Sequence, residues 1–343
     1  LLISFLLNFI LCEAQVGGST SYNFLSLPTS YKTAALGGLV VGNYNDDLGF
    51  AFQNPASLNA EMADKLSLTQ IKYLADSKYK FAAFAHNTKS KGEFAFGIQY
   101  LDYGKFLSTN NVGAVIGQFT ADESALQLVW DYPITEKIKV GVSSTYVSSR
   151  LETYFSNAIL FNTGITYTNK DYLFTSGLVF KNLGATLKSY SGSKEKLPFD
   201  IEAGLSKRLE HTPFQVNVNF HNLQKFNIRY DDPNAVSQTS LFGDTVNTSN
   251  KKYVLDKLFR HVNIGTEIFI GKNIQAQVGY NHQRRKELAF DQRSGLSGFS
   301  YGVGVRVKRF QIGYSHSMYN IATGVNTLTL QVNFQQLFGK HFQ

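Results

Sequence analysis

The stretch TLTLQVNFQ, residues 327–335, alternates without interruption. Successive side chains of a strand point to opposite faces, so Leu328, Leu330, Val332 and Phe334 share one face. Thr329, Gln331, Asn333 and Gln335 share the other. A strand built this way needs an apolar neighbour for its first face, and the fold turns on whether that neighbour is protein or lipid.

The same pattern recurs about fourteen times. Candidate strands cover 66–74, 79–87, 93–101, 124–132, 138–148, 159–168 and 172–182. The rest cover 199–207, 214–222, 262–270, 274–283, 299–308, 310–318 and 327–335. Most run to nine residues or more, whereas strands of soluble proteins usually run to about five or six. A tilted strand crossing a bilayer needs roughly nine to eleven. An even count suits a bacterial outer-membrane barrel. Connections after even-numbered strands are short (88–92, 133–137, 169–171, 271–273 and the step at 308–309). Those after odd-numbered strands are mostly longer (102–123, 184–198, 223–261 and 284–298), with the link at 76–77 as the exception. Short periplasmic turns and long outer loops produce this parity, and a soluble sandwich has no reason to.

The polar faces are of one kind. Phe214, Val216, Val218 and Phe220 oppose Gln215, Asn217, Asn219 and His221; Ile274, Ala276, Val278 and Tyr280 oppose Gln275, Gln277, Gly279 and Asn281. Amides, Ser and Gly, with occasional charges such as Glu202, Glu267 and Arg306, suit an enclosed hydrogen-bonding lumen; a solvated face would favour Lys and Glu. A Lys or Arg at mid-depth on the lipid face costs about 2–4 kcal/mol, and those positions are nearly free of charge. Backbone groups cannot be left unpaired in hydrocarbon, so the sheet must close. The expected fold class is all-β: a transmembrane antiparallel β-barrel of about 14 strands.

Three parts are expected along the chain. Residues 1–14, LLISFLLNFILCEA, are apolar, too short for a spanning helix and followed by a small-residue cleavage site before Gln15. They read as the core and end of an export signal whose first residues are expected before Leu1. A lipoprotein reading of Cys12 is weaker, because Leu11 stands where a small residue is wanted. The single cysteine, Cys12, lies there, so no disulfide framework exists. Residues 15–64 precede the alternation and carry turn chemistry: Gly37-Gly38, Asp46-Asp47 and Asn54-Pro55-Ala56. They are expected to form a compact, irregular plug. Residues 65–343 form the barrel.

Little points to catalysis. The seven histidines show no metal-ligand spacing. Ser315-His316-Ser317 invites a hydrolase reading, but neighbours on one strand face opposite ways and cannot meet. Gly302 and Gly304 read as lumen-side clearance for packing, because no phosphate-loop Lys-Ser/Thr follows them. No cofactor motif is present. The charge of +8 is scattered along turns, not gathered into the stripe that nucleic acid requires. The longest connection, 223–261, holds Tyr230-Asp231-Asp232-Pro233, a polar tract and then VLDKLFR, which can form two helical turns. Tyr253, Leu255, Leu258 and Phe259 are apolar enough to make it a candidate partner-contact loop. Arg284-Arg285-Lys286, with Arg293, read as a basic rim that solvent, lipid phosphate or an acidic partner can meet.

The N-terminal segment resembles a known family. YNFLSLPTSYKTAALGG (22–38), Asp46-Asp47 and FQNPASLN (52–59), with VLDKLFRHVNIGTEIF and GYNHQRRKEL further on, are similar to the PorQ family of the Bacteroidetes type IX secretion system. That family lies within the FadL-like and PorV-like barrel superfamily, which shares the Gly-Gly, Asp and Asn-Pro-Ala elements. The resemblance runs from Gly17 to the end. It implies an integral outer-membrane barrel whose N-terminal segment is a hatch in the lumen, surrounded by outer-membrane lipid and lipopolysaccharide. It implies a non-catalytic member of the attachment complex: PorZ is held at the surface directly, beside PorU and cargo-binding PorV. The alternative is a FadL-like transporter of hydrophobic small molecules. Against that stands the predicted lumen face, where amides, Ser and Gly build no apolar pocket. For Asn54-Pro55-Ala56 two readings stay open, a turn that fixes the plug and a movable hatch.

Overall fold

Alternation decides which way each strand faces, and a closed ladder leaves no edge. The computed structural model describes residues 20–74, 77–87, 92–192, 195–228, 250–288, 295–319 and 323–334. Its first seven strands are β1 (Lys65–Lys72), β2 (Lys78–Asn87), β3 (Glu93–Thr109), β4 (Val115–Pro133), β5 (Ile138–Leu151), β6 (Tyr154–Thr168) and β7 (Phe174–Lys188). The others are β8 (Asp200–Arg208), β9 (Phe214–Phe220), β10 (Val262–Ile270), β11 (Ile274–Asn281), β12 (Phe299–Val307), β13 (Phe310–Met318) and β14 (Gly324–Asn333). Each pairs antiparallel with the next, and β1 pairs with β14, closing a barrel. Residues 1–14, expected as an export signal, and residues 15–19 lie outside the described residues.

The faces are inverted relative to a water-soluble protein. On β14 Leu328 is 53% exposed while Thr329, on the opposite face, is 1% exposed. Large apolar side chains such as Phe96, Leu128, Phe161 and Val303 point outward all round the wall, which only hydrocarbon can accommodate over so large an area. Aromatic residues mark both borders. At the even-turn end Trp130 packs 6.2 Å from Phe94 and 5.9 Å from Tyr132. Towards the odd-turn end stand Tyr100, Tyr301 and Tyr314, all exposed. Such girdles sit at the two membrane interfaces. No described helix is long and apolar enough to cross a membrane; the crossing is made by strands.

Two expectations are corrected. The connection expected over 102–123 is largely strand: β3 and β4 run on as a paired hairpin to a five-residue link at 110–114. The ladder breaks and resumes between Asp102 and Lys105. Gly104 takes φ +86 at the break, and its N–H donates to Asp102 Oδ1 at 2.8 Å. This bulge lets pairing continue beyond the barrel. Likewise β7 runs to Lys188, into the connection expected over 184–198.

The lumen is also less uniform than expected. Inward positions of β2–β6 include Tyr79, Phe81, Ala83, Val129, Val147 and Leu160, all buried in one apolar cluster with residues of the N-terminal segment. Alternation reveals two faces but not which partner each meets, and here the partner is an apolar stretch of the same chain.

Candidate functional site: the filled lumen and its outer mouth

Residues 20–64 reach the wall on every side. Their one α-helix, α1 (Tyr31–Ala35), packs against β11–β14; the turn Leu48–Phe52 meets β1 and β2; the turn Pro55–Ser57 meets β4–β6. A segment touching strands all round a closed barrel lies inside it.

Each predicted plug residue has a local task. Ser30 caps α1, its Oγ accepting from Thr33 N–H at 3.2 Å. Gly37 and Gly38 end the helix with φ +97 and +98. Gly38 N–H donates to Thr33 O at 2.9 Å and Gly37 N–H to Ala34 O at 3.4 Å, the hydrogen-bond pair of a Schellman cap. Left-handed backbone here favours glycine. Gly37 O then accepts from the side chains of Asn263 and Asn281 on the wall, at 3.3 and 3.1 Å.

Asn54 Oδ1 accepts from Ala56 N–H at 3.1 Å, with Pro55 at the first position of the short turn. Asn54 Nδ2 donates to Val41 O at 2.9 Å and to Thr166 on β6 at 3.2 Å. The turn rests on glycines: a β-carbon at Gly141 would overlap Pro55 and Ala56, and one at Gly164 would overlap Asn54. Sequence reasoning found the turn and missed its seat. The available signal was glycine recurring at inward positions, as in Gly141 opposite Gly164, Gly265 opposite Gly279 and Gly304 opposite Gly313. The expected role of Gly302 and Gly304 as lumen clearance matches this: a β-carbon at Gly302 would press on Ala35, and one at Gly304 would overlap Tyr31.

Asp46 and Asp47 divide the work. Asp47 Oδ1 accepts from Gly49 N–H at 2.9 Å and from Gln331 Nε2 at 2.8 Å. Asp46 is the hub of a charge cluster. Its carboxylate meets Lys65 Nζ at 3.0 Å, Lys32 Nζ at 3.9 Å and the Arg306 guanidinium. Burial pushes the Asp46 pKa up, but the three cations outweigh it and hold the carboxyl at about 2. The Lys32 side chain is 0% exposed and also donates to Asn45 Oδ1 at 2.7 Å. A second polar junction joins Asn43 to Asn217 and Glu267, both at 2.8 Å.

At the odd-turn end a cavity of about 740 Å³ opens between the inner segment and the outer connections. Leu27, Gly38, Lys181, Asp200, His221 and Arg284 are among its lining residues. The predicted basic rim splits here. Arg284 turns inward over Gly38, its guanidinium carbon 4.3 Å from the Tyr319 ring centre. Arg285 donates to Gly295 O at 3.0 Å, and Lys286 stays exposed. Arg293 lies outside the described residues.

Of the candidate partner loop, residues 223–228 and 250–261 are described. Its helix, α2 (Asn250–Arg260), extends beyond the expected two turns, and Leu255, Leu258 and Phe259 are exposed on it. Tyr253 lies on the same helix; Tyr230 and Asp231 lie outside the described residues. Asp256 ties α2 to α3 (His282–Glu287), meeting Arg260 at 2.9 Å and His282 at 3.2 Å. Burial would raise the Asp256 pKa, but these partners lower it.

The hydrolase reading of 315–317 fails on geometry. Ser315 and Ser317 point inward, whereas His316 faces out and bonds Asn326 at 2.7 Å. Folding does bring His221 and His261 together, with ring centres 6.3 Å apart, but no metal-holding group of His, Cys, Asp or Glu exists among the described residues.

No protein-family model matches the chain, and no curated protein matches it. Solved structures do. The Ralstonia pickettii toluene transporter TbuX matches with a TM-score of 0.51 at 13% identity, over 90% of this chain and 99% of that one. The Pseudomonas putida toluene transporter TodX matches with a TM-score of 0.51 at 12% identity, over 89% and 96%. At such identity the likeness is one of fold alone, a closed antiparallel β-barrel.

Proposed function

We propose that this chain is an integral outer-membrane protein acting as a closed, non-catalytic anchor. It would hold a surface partner, PorZ on the PorQ-like resemblance, beside PorU and PorV in the type IX attachment complex. One observation carries the anchor reading: residues 20–64 fill the lumen and are fastened to strands all round it. A conduit needs a path, whereas an anchor needs rigidity and surfaces outside the membrane. The protruding β3–β4 hairpin and α2 supply such surfaces, with Leu107, Ile116, Leu255 and Phe259 exposed. The deciding experiment is affinity purification of the native chain from detergent-solubilised membranes, with planar-bilayer conductance measured on the same preparation. The anchor reading expects a co-purifying surface protein and no steady conductance. A barrel that purifies alone and conducts steadily would overturn it.

A second reading, transport of hydrophobic small molecules, has support of its own. TbuX and TodX are toluene transporters and share the fold. The outer mouth holds a cavity of about 740 Å³, and one sector of the lumen is apolar. The inner segment would then have to move as a hatch, releasing Asn54 and the Asp46 cluster. Uptake of labelled fatty acid or toluene into vesicles containing the protein, above that of empty vesicles, would favour transport; uptake equal to empty vesicles would remove it.

A further inference from the structure

The lipid face is not free of charge: Asp102, Asp122 and Arg150 stand towards the odd-turn end and Lys207 at the other, and three lysines gather on β1 and β2. On β1 and β2 the outward positions nearest the odd-turn end are Lys72, Lys78 and Lys80. Register sets them in a small array. The top row across β14, β1, β2 and β3 is Asn326, Lys72, Lys78 and Asp102. The row beneath is Leu328, Gln70, Lys80 and Tyr100, and the next is Leu330, Leu68, Ala82 and Ile98. Rows lie about 6–7 Å apart along the strands. Tyr100 belongs to the aromatic girdle, so Lys80 stands at that interface and the other two lysines stand one row above it.

Three further observations point to a ligand. Lys72 and Lys78 are direct cross-strand partners, and like charges so placed repel. Among the described residues no ion pair holds any of the three lysines. The nearest acid in the array, Asp102, opposes Lys78, and its Oδ1 accepts the Gly104 amide. Beneath them the wall is hollowed. A groove of about 390 Å³ runs over Ala82, between Leu68, Ile98, Leu328 and Leu330, with Lys80 and Gln70 at its upper edge. The small side chain at position 82 leaves space in a row of large ones.

We infer that this patch binds a phosphate-bearing glycolipid of the outer leaflet. Its phosphate would sit among Lys72, Lys78 and Lys80, and one acyl chain would lie in the groove over Ala82. The long alkyl stems of the lysines can lie along the apolar wall and lift their ammonium groups to headgroup level. The odd-turn end is the outer one because it carries the longer connections and the protruding hairpin. Lipid A, whose phosphates sit directly on an acylated sugar, has this combination of groups. The inference rests on the outer-membrane placement proposed above, not on the choice between anchor and transporter.

Native mass spectrometry of the detergent-purified full chain tests it, with separate additions of bisphosphorylated lipid A, fully dephosphorylated lipid A and phosphatidylglycerol. The native chain should retain one lipid A. Retention should fall roughly tenfold or more for the dephosphorylated lipid and for the Lys72→Gln/Lys78→Gln/Lys80→Gln chain. Ala82→Phe, which keeps all three charges and fills the groove, should weaken it as well, while Lys207→Gln at the other end of the barrel should not. Heat-modifiable gel mobility establishes that each variant is folded. Equal retention by the triple variant, or equal binding of dephosphorylated lipid, would overturn the site. Phosphatidylglycerol bound as tightly as lipid A would overturn the assignment to the glycolipid. Failure of the placement itself reads differently: the native chain would be missing from the outer-membrane fraction.

Discussion

Gly304 and Gly313 face each other across β12 and β13, and the ring of Tyr31 lies on both. The two residues create a flat place on the wall where an aromatic ring of the inner segment can meet backbone directly. A side chain at either position would occupy the space of the ring. Gly313→Leu should therefore destabilise the filled barrel by about 1–3 kcal/mol, as overpacking usually does. The readout is the temperature at which heat-modifiable mobility is lost in detergent. Tyr31→Ala in the same chain should recover part of the loss, whereas the two changes adding independently would show that ring and glycine do not meet.

The Asp46 cluster sets a pH limit on the inner segment. In the folded chain the Asp46 carboxyl titrates at about 2, against an ordinary 3.8. A depressed carboxyl contributes stability that is fully present above its unfolded value and is lost as pH falls through the folded one. Protease resistance of residues 20–64 should therefore stay level from pH 7 to about 5, then decline between about pH 4 and 2. Asp46→Asn should remove the step. It should also cost about 3 kcal/mol at neutral pH, because Lys32 would keep its buried charge without its carboxylate partner.

The barrel was legible in the sequence because alternation is local. Thr329 and Leu328 declare their faces without reference to anything distant, and the strand count and closure came from such local signs. The inner segment was legible only as turn chemistry. Asn54-Pro55-Ala56 announces a bend, but Gly141 and Gly164, which receive it, lie far along the chain and look like ordinary strand glycines. The apolar sector around Phe81 was hidden for a related reason: β2 carries large or small apolar residues on both faces, and its outward lysines break the rule that outward means apolar. The β3–β4 hairpin was missed because Gly104 and Asn110-Asn111 both resemble loop, while only 110–114 is the link and the pairing that resumes after the bulge at Gly104 is set by the opposite strand.

If α2 carries the partner, its exposed apolar side chains are the contact. Leu255→Lys, Leu258→Lys and Phe259→Lys together should release the surface protein that co-purifies with the native chain. Barrel stability should change by no more than about 0.5 kcal/mol, since exposed positions away from buried features tolerate substitution. Washing of intact cells followed by quantification of the released protein gives the result. Undiminished retention would move the contact to another outer surface, with the hairpin bearing Leu107 and Ile116 as the next to test.

The medium outside the wall can be tested with two neighbouring residues of β4. Leu128 points outward and is 62% exposed; Gln127 points inward, is 3% exposed and donates to Ser143 Oγ at 3.2 Å. Leu128 pairs with Phe96, between the levels of Tyr100 and Trp130, so it lies near the middle of the apolar band. In water an exposed leucine is replaced by arginine at little cost, often with better solubility. In a bilayer the same change at mid-depth costs about 2–4 kcal/mol. Leu128→Arg should therefore lower the denaturant midpoint measured in phospholipid vesicles by the equivalent of that amount. Arginine at Leu107, on the hairpin beyond the girdle, should leave the midpoint unchanged. Equal midpoints for Leu128→Arg and the native chain would mean that water, not hydrocarbon, meets the outer wall, and that the parity of the connections has another cause.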